Sequence, residues 1–103
     1  MLLLALLAAT LSTGTFSPEP EQKLARSIYE ELVNSNTSYS TGQTTPAATA
    51  MARRLLDAGF AADDVAVLGA ADHKANLVAR YRGTGKARPL LLLAHLDVVE
   101  ARR

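Results

Sequence analysis

The sequence of 103 residues contains no cysteine and no tryptophan, and only 5% of its residues are aromatic. Because cysteine is absent, disulfide bonds and thiolate metal ligands are excluded. A metal ion could be bound only through histidine, aspartate or glutamate. The hydrophobic fraction is 49%, which is typical of a globular rather than a disordered chain. With few aromatic residues, we expect an aliphatic core rich in alanine and leucine.

Neither sign of charge predominates, since the sequence has 11 lysines and arginines and 10 acidic residues, and the net charge is +1. This balance offers no electrostatic attraction to nucleic acid or to an acidic membrane surface. Because of this charge balance, we expect no nucleic-acid partner. The length is sufficient for one small domain at most.

An apolar stretch opens the chain, over residues 2–11, and small and polar residues follow it. Its length is about half of what a membrane-spanning helix needs. The pattern is typical of a secretory signal peptide, and we expect one over residues 1–16, no membrane span, and a periplasmic or secreted protein. No lysine or arginine precedes the stretch and no Ala-x-Ala follows it. These two features leave open a cytoplasmic protein with a hydrophobic N-terminal helix.

Two helices are predicted from the spacing of apolar residues. The first covers residues 21–33 and is expected to pack its apolar face against the core. The second begins with Thr45 as N-cap and Pro46 as its first helical residue, and it ends near Ala58 with Gly59 in the left-handed conformation.

Two short strands, residues 65–68 and 76–82, are predicted to pair as a hairpin. Asp63 and Asp64 could be read as metal ligands, but a solvated turn is favoured. His73 is expected to lie exposed in the connecting turn.

Residues 89–99 have the sequence PLLLLAHLDVV. The glycines and proline before the leucines favour a third strand that is buried on both faces. Because strand side chains alternate, His95 and Asp97 would share a face at the strand's carboxyl end, where ligands bind in α/β sheets. An imidazole there can bind a metal ion while a carboxylate holds its second ring nitrogen. Ordinary hydrogen bonding of the two side chains is the alternative.

The segment LLAHLDVV, residues 92–99, resembles the first metal motif of peptidase family M-twenty. These are co-catalytic zinc peptidases and amidohydrolases, with carboxypeptidase G, aminoacylase and succinyl-diaminopimelate desuccinylase among them. The likeness extends upstream through residues 44–48, 58–60 and 76–80, in the family's order. It implies that His95 binds one of two zinc ions and that Asp97 is the catalytic residue that orients His95. Glu100 departs from the proline of many members, which leaves the ligand positions untouched.

The resemblance also implies a fold and an activity. The fold would be α/β, with residues 17–103 forming the N-terminal part of a mixed-sheet catalytic domain that begins with two helices and then three strands. The activity would be hydrolysis of a peptide or N-acyl amino acid by a metal-bridged water. The remaining ligands and the glutamate base would lie beyond Arg103, and homodimerisation would also depend on that part. We therefore expect the fragment itself to be inactive.

Two other functions are weighed against this one. The chain could be a non-enzymatic small α/β module that binds a partner, or an inert product, because its ligand set is incomplete. Nucleotide binding through residues 83–86 is disfavoured, since Arg80 and Ala87 stand where a phosphate-binding loop requires glycine and then serine or threonine.

Overall fold

The computed structural model describes residues 19–100, and the expected signal peptide over residues 1–16 lies outside them. Two helices precede a two-stranded antiparallel sheet, in agreement with a small α/β architecture. The elements are helix α1 (Glu19–Val33), helix α2 (Thr44–Asp57), a 3₁₀ helix (Ala62–Asp64), strand β1 (Val65–Ala71) and strand β2 (Lys74–Ala79). Within residues 19–100, no helix is both long enough and apolar enough to cross a membrane.

Strands β1 and β2 form the predicted hairpin, with a turn at Asp72 and His73. The pairing is irregular between Gly69 and Ala71. A Cβ atom at Gly69 would overlap the carbonyl oxygen of Lys74 on the opposite strand. Glycine at this position therefore allows the two backbones to approach closely where the hairpin bends.

Helix α2 packs on β2 through small side chains. The buried hydrophobic residues are alanines, as the composition predicts: Ala47, Ala48, Ala52 and Ala75. Because alanine extends little from the backbone, the helix and the strand lie close together. Met51 and Leu55, which lie on the same side of the helix as Ala48 and Ala52, are half-buried.

The start of α2 differs from the prediction, and Thr45 is not its N-cap. Gln43 occupies the N-cap position without a side-chain capping bond. The Thr44 hydroxyl donates to the carbonyl oxygen of Ala75 at 2.8 Å, and the Ala75 amide donates to the Thr45 hydroxyl oxygen at 3.1 Å. These two threonines, the threonine clasp, join the helix to β2 because their hydroxyl groups bond to the backbone of Ala75.

The end of α2 is as predicted. Gly59 has a φ of 96°, in the left-handed region. Its amide donates to the carbonyl of Leu56 and the amide of Phe60 donates to the carbonyl of Leu55, each at 3.0 Å. This pair of bonds satisfies two carbonyls of the last helical turn.

Helix α1 does not pack into the core as expected. None of its residues is buried, and Leu24 and Val33 remain 53% and 63% exposed. Its polar contacts with α2 come from Arg54, whose Nε lies 2.6 Å from a carboxylate oxygen of Glu31 and whose Nη2 donates to the Ser27 hydroxyl at 3.0 Å. The amphipathic pattern therefore predicted the helix correctly and its burial wrongly, because the apolar face of α1 borders an open groove against α2 rather than a packed core.

Asp64 is also placed differently from the prediction. Its side chain is buried rather than solvated, whereas that of Asp63 is exposed. Arg82 Nε donates to both carboxylate oxygens of Asp64 at 2.9 Å, and its Nη2 lies 2.7 Å from Oδ1. Hydrogen bonding from Arg82 holds the pKa of Asp64 below its ordinary value of 3.8. The ion pair closes the base of the hairpin.

The third strand is absent from residues 19–100, and the prediction that its leucines are buried is wrong. Leu90 to Leu93 are 82% to 90% exposed and belong to no β-ladder. The backbone after β2 makes one isolated parallel bridge, between Ser38 and Val98. A strand buried on both faces needs a neighbouring strand and two covering layers, and the described chain supplies neither.

Candidate functional site

Residues 36–43 form a compact turn before α2, which we call the docking loop. The Gln43 amide donates to the carbonyl of Asn36 at 2.9 Å, and the Gly42 amide donates to the carbonyl of Ser38 at 3.1 Å. The side-chain oxygen of Asn36 accepts from the Ser38 amide at 3.2 Å and from its hydroxyl at 2.8 Å. A Cβ atom at Gly42 would overlap the Ser38 nitrogen. The loop can therefore close on itself only because Gly42 has no side chain.

The ammonium group of Lys74, at the start of β2, lies against the docking loop. It donates to the carbonyl oxygens of Ser38, Tyr39 and Gly42 at 3.3, 3.4 and 3.1 Å. It also lies 5.9 Å from the centre of the Tyr39 ring. Three converging carbonyls match the three donors of an ammonium group, and the contact fixes the loop to the hairpin.

The segment that carries the predicted site, residues 95–100, contacts the docking loop after Asp97. The Val98 amide donates to the carbonyl of Thr37 at 3.3 Å. Glu100 Oε1 accepts from the Ser40 amide at 3.2 Å and from the Ser40 hydroxyl. The bonds from the Ser40 hydroxyl and then its amide hold the pKa of Glu100 below its ordinary value of 4.5. We call residues 95–100 the His-Asp segment.

The structure places His95 and Asp97 together. His95 Nδ1 lies 2.7 Å from the backbone carbonyl oxygen of Asp97 and 3.6 Å from its carboxylate Oδ1. Because a carbonyl oxygen only accepts, Nδ1 must carry the proton in this bond, and Nε2 of the neutral ring keeps its lone pair. Both side chains are largely exposed, at 83% and 68%. The shorter contact is to the backbone, whereas the sequence predicted the carboxylate as the orienting group.

A cleft of about 340 Å³ lies beside this segment. Leu92, Leu93, Ala94 and Leu96 form one wall, and the other wall comes from α2 and β2. Leu96 is half-buried there, whereas His95 and Asp97 on either side of it are exposed. The apolar contact of Leu96 therefore directs its polar neighbours toward solvent.

The donor groups fit one coordination position of a zinc ion but not a complete site. A free Nε2 with Nδ1 bound to an oxygen is the usual state of a metal-binding histidine. Within residues 19–100, no group of three or more histidine or acidic side chains could hold a metal ion. Catalytic zinc usually has three protein ligands. The remaining ligands would have to come from outside the described residues.

The other candidate residues lie away from His95. His73 is exposed in the hairpin turn, as expected, and its carbonyl accepts a bond from the Thr44 amide at 3.0 Å. The carboxylate of Asp64 is occupied by Arg82. The larger apolar groove, of about 550 Å³, lies between α1 and α2, and neither His95 nor Asp97 lines it.

Comparison with known proteins finds no match: no family model, curated protein or solved structure is similar to this chain. The fold and the geometry of residues 19–100 are therefore the basis for any functional assignment.

Sequence reasoning missed the residues that hold the His-Asp segment in place. Ser40 and Lys74 were expected in a loop and a turn, and Glu100 was noted only as a departure from the resembled motif, although the three residues connect separate parts of the chain. The departure of Glu100 from the family's proline was the signal in the sequence. It did not indicate which residue Glu100 would contact.

Proposed function

We propose that this chain is the N-terminal portion of a zinc-dependent metallopeptidase or amidohydrolase of the M-twenty type. The observation that carries the proposal is the state of His95. Its Nδ1 is 2.7 Å from the Asp97 carbonyl oxygen, which leaves Nε2 available as a ligand. The resemblance of residues 92–99 to a zinc motif supports the same role.

In this proposal His95 is a metal ligand, and Asp97 holds the ring through its carbonyl oxygen and, more weakly, its carboxylate. The two oxygens fix the tautomer and the ring orientation, and they make Nε2 a better donor. When two zinc ions are bound, they supply a water of lowered pKa and polarise the substrate carbonyl. The substrate class is a small peptide or an N-acyl amino acid.

The chain alone would be inactive in this proposal, because the further ligands and the general base are expected beyond Arg103. The exposed leucines before His95 agree with this view, since a continuing chain could cover them. A periplasmic or secreted location and a homodimer of the full-length enzyme belong to the same proposal.

The test is a pair of histidine substitutions in the product of the complete reading frame, since the sequence contains two histidines. We expect His95→Ala to lower both bound zinc and hydrolysis of N-acyl amino acids by at least about 100-fold, because it removes a direct ligand. His73→Ala, in the hairpin turn, is the matched control and should retain both. Zinc is measured by atomic emission and turnover by amine release. Unchanged zinc and turnover in His95→Ala would refute the proposal.

Asp97→Ala gives a graded companion result. Loss of an orienting group typically costs about 10–100-fold in metal affinity or activity. Because the backbone carbonyl of residue 97 would still accept from Nδ1, we expect a loss at the lower end of this range. A loss as large as that of His95→Ala would mean that Asp97 itself binds metal.

A second candidate function is a non-enzymatic module that binds another protein. Leu90 to Leu93 favour it, because each is more than four-fifths exposed. Zinc content and oligomeric state of the purified chain separate the two candidates. Stoichiometric zinc in a monomer would count against the binding module, and a zinc-free chain with a defined oligomeric state would favour it.

A further inference from the structure

Resting on the proposed metal role of His95, we propose that the docking loop positions this histidine, with Lys74 and Glu100 as the positioning residues. Lys74 fixes the loop to the hairpin from one side. Glu100 fixes the His-Asp segment to the loop from the other side. Neither residue belongs to the metal motif, and neither touches the imidazole.

Few backbone hydrogen bonds restrain the chain before His95. After the Arg80 amide bonds to the Asp64 carbonyl at 2.8 Å, the next backbone hydrogen bond to the rest of residues 19–100 is that of Val98. Leu90 to Leu93 are exposed and pair with no strand. The chain leading into His95 therefore places few restraints on its position. The restraints come from the residues that follow it.

Those restraints are concentrated in the docking loop. The Val98 amide bonds to Thr37, and Ser40 gives both its amide and its hydroxyl to one oxygen of Glu100. Two donors on one carboxylate oxygen make a charge-assisted contact, which is stronger than a neutral one. His95 and Asp97 lie immediately before these contacts, and their orientation depends on the segment remaining in place.

The loop needs Lys74 to present Ser40 and Thr37 correctly. The ammonium group satisfies three loop carbonyls that converge on one point. Without it the carbonyls of Tyr39 and Gly42 would lose this donor, and that of Ser38 would keep only the bond from the Gly42 amide, so the loop would open toward water. Lys74 therefore acts on His95 through the loop, across two sets of contacts.

The experiment measures the position and the tautomer of His95 in the ¹⁵N-labelled full chain. Exchange of the Val98 amide reports docking, and the ring ¹⁵N shifts of His95 report whether Nδ1 or Nε2 carries the proton. The variants are Glu100→Ala and Lys74→Met, with Glu100→Gln as the conservative variant that keeps an acceptor for Ser40. Glu21→Ala and Lys86→Met, both at exposed positions, are the matched controls.

We expect Glu100→Ala and Lys74→Met to speed exchange at Val98 by about threefold to tenfold, as for loss of an exposed charge-assisted bond. The His95 ring should shift toward a mixture of tautomers. Glu100→Gln should restore most of both signals, and the two controls should match the wild-type chain. Circular dichroism melts show whether each variant is folded. A folded Glu100→Ala chain with wild-type Val98 exchange and His95 ring shifts would overturn the proposal, as would a Glu100→Gln chain no better than Glu100→Ala.

The result is separable from the test of the proposed function. If His95→Ala abolishes zinc binding while Glu100→Ala leaves the His95 tautomer unchanged, the metal role stands and the positioning role fails. If Glu100→Ala changes Val98 exchange and the His95 tautomer in a chain whose complete product binds no zinc, the docking contact stands. In that case His95 is not a metal ligand, and the docking contact does not serve metal binding.

Discussion

Asp64 and Arg82 form the most extensively bonded ion pair among the described residues. The carboxylate is buried while the guanidinium is largely exposed, and three N–H to oxygen contacts of 2.7 to 2.9 Å join them. The pair holds the residues just after β2 against the 3₁₀ helix just before β1. At the scale of single residues, the strength of this contact should depend on pH, because Arg82 lowers the pKa of Asp64.

The first prediction concerns this pH dependence. Because the pKa of Asp64 is lowered in the folded chain, its contribution to stability is complete above its unfolded pKa, near 3.8. The contribution is lost as the pH falls through the still lower folded pKa. We therefore expect Asp64→Asn to lower Tm near neutral pH, with the difference from wild type shrinking below pH 3.8. Thermal melts across pH check this, and Asp63→Asn is the control. A Tm difference that does not change with pH would contradict the prediction.

Gly42 gives a second prediction at this scale. A Cβ atom there would lie 2.7 Å from the Asn36 carbonyl oxygen and would overlap the Ser38 nitrogen. We expect Gly42→Ala to reduce the free energy of unfolding by about 1–3 kcal/mol, as for other overpacked sites. Gly83→Ala is the control because nothing lies within 4 Å of its added Cβ atom. Urea unfolding measures both, and equal stability of the two variants would show that the loop relaxes freely.

At the scale of elements, local patterns predicted the helices and the hairpin, because apolar spacing and glycine conformation are properties of neighbouring residues. Gly59 is the clearest case, since its left-handed backbone follows from its place after the last apolar residue. The threonine clasp could not be predicted in this way. Thr44 and Thr45 have the chemistry of helix caps, and their partner Ala75 lies about thirty residues away.

The leucine run shows the opposite error. Residues 90–93 carry a strong strand pattern, yet they form no strand in the described chain. Strand formation depends on pairing with a neighbouring strand and on burial under other elements. An apolar run indicates only that its side chains favour burial. Of the candidate site, the sequence predicted the proximity of His95 and Asp97 but not the docking loop, because contacts with Ser40 and Lys74 depend on tertiary structure.

The helix–sheet contact gives the third prediction. Ala48 is fully buried where α2 meets β2, at 0% exposure. We expect Ala48→Leu to destabilise the chain by about 1–3 kcal/mol, because the added atoms must separate the helix from the strand. Thr49→Leu, at the next and exposed position, should change stability by less than about 0.5 kcal/mol. Chemical denaturation compares them, and an Ala48→Leu chain as stable as wild type would mean that the interface contains unfilled space.

At the scale of the whole molecule, the apolar surface is unevenly distributed. The core consists of four buried alanines, while larger aliphatic side chains on α1 and in the leucine run face solvent. Exposed apolar surface promotes association with other apolar surfaces. The described chain therefore combines a small core with a strong tendency to bury more surface.

The fourth prediction tests this tendency. We expect Leu91→Lys and Leu93→Lys to reduce self-association of the purified chain, because both side chains are more than four-fifths exposed. Folding stability should change by less than about 0.5 kcal/mol. Thr49→Lys, at an exposed polar position of α2, is the control for added charge. Light scattering as a function of concentration measures self-association. Unchanged self-association in both variants would show that the chains do not associate through the leucine run.

The long separation of the Ser40–Glu100 contact has a consequence for the order of folding. The hairpin pairs residues that are at most fourteen positions apart, from Val65 with Ala79 to Ala71 with Lys74. Ser40 and Glu100 are 60 positions apart, and they must close a far longer loop. Because loop closure costs entropy before any contact compensates for it, we expect the helix and hairpin to assemble first. His95 would reach its final position in a late kinetic phase, after the helix and the hairpin have formed.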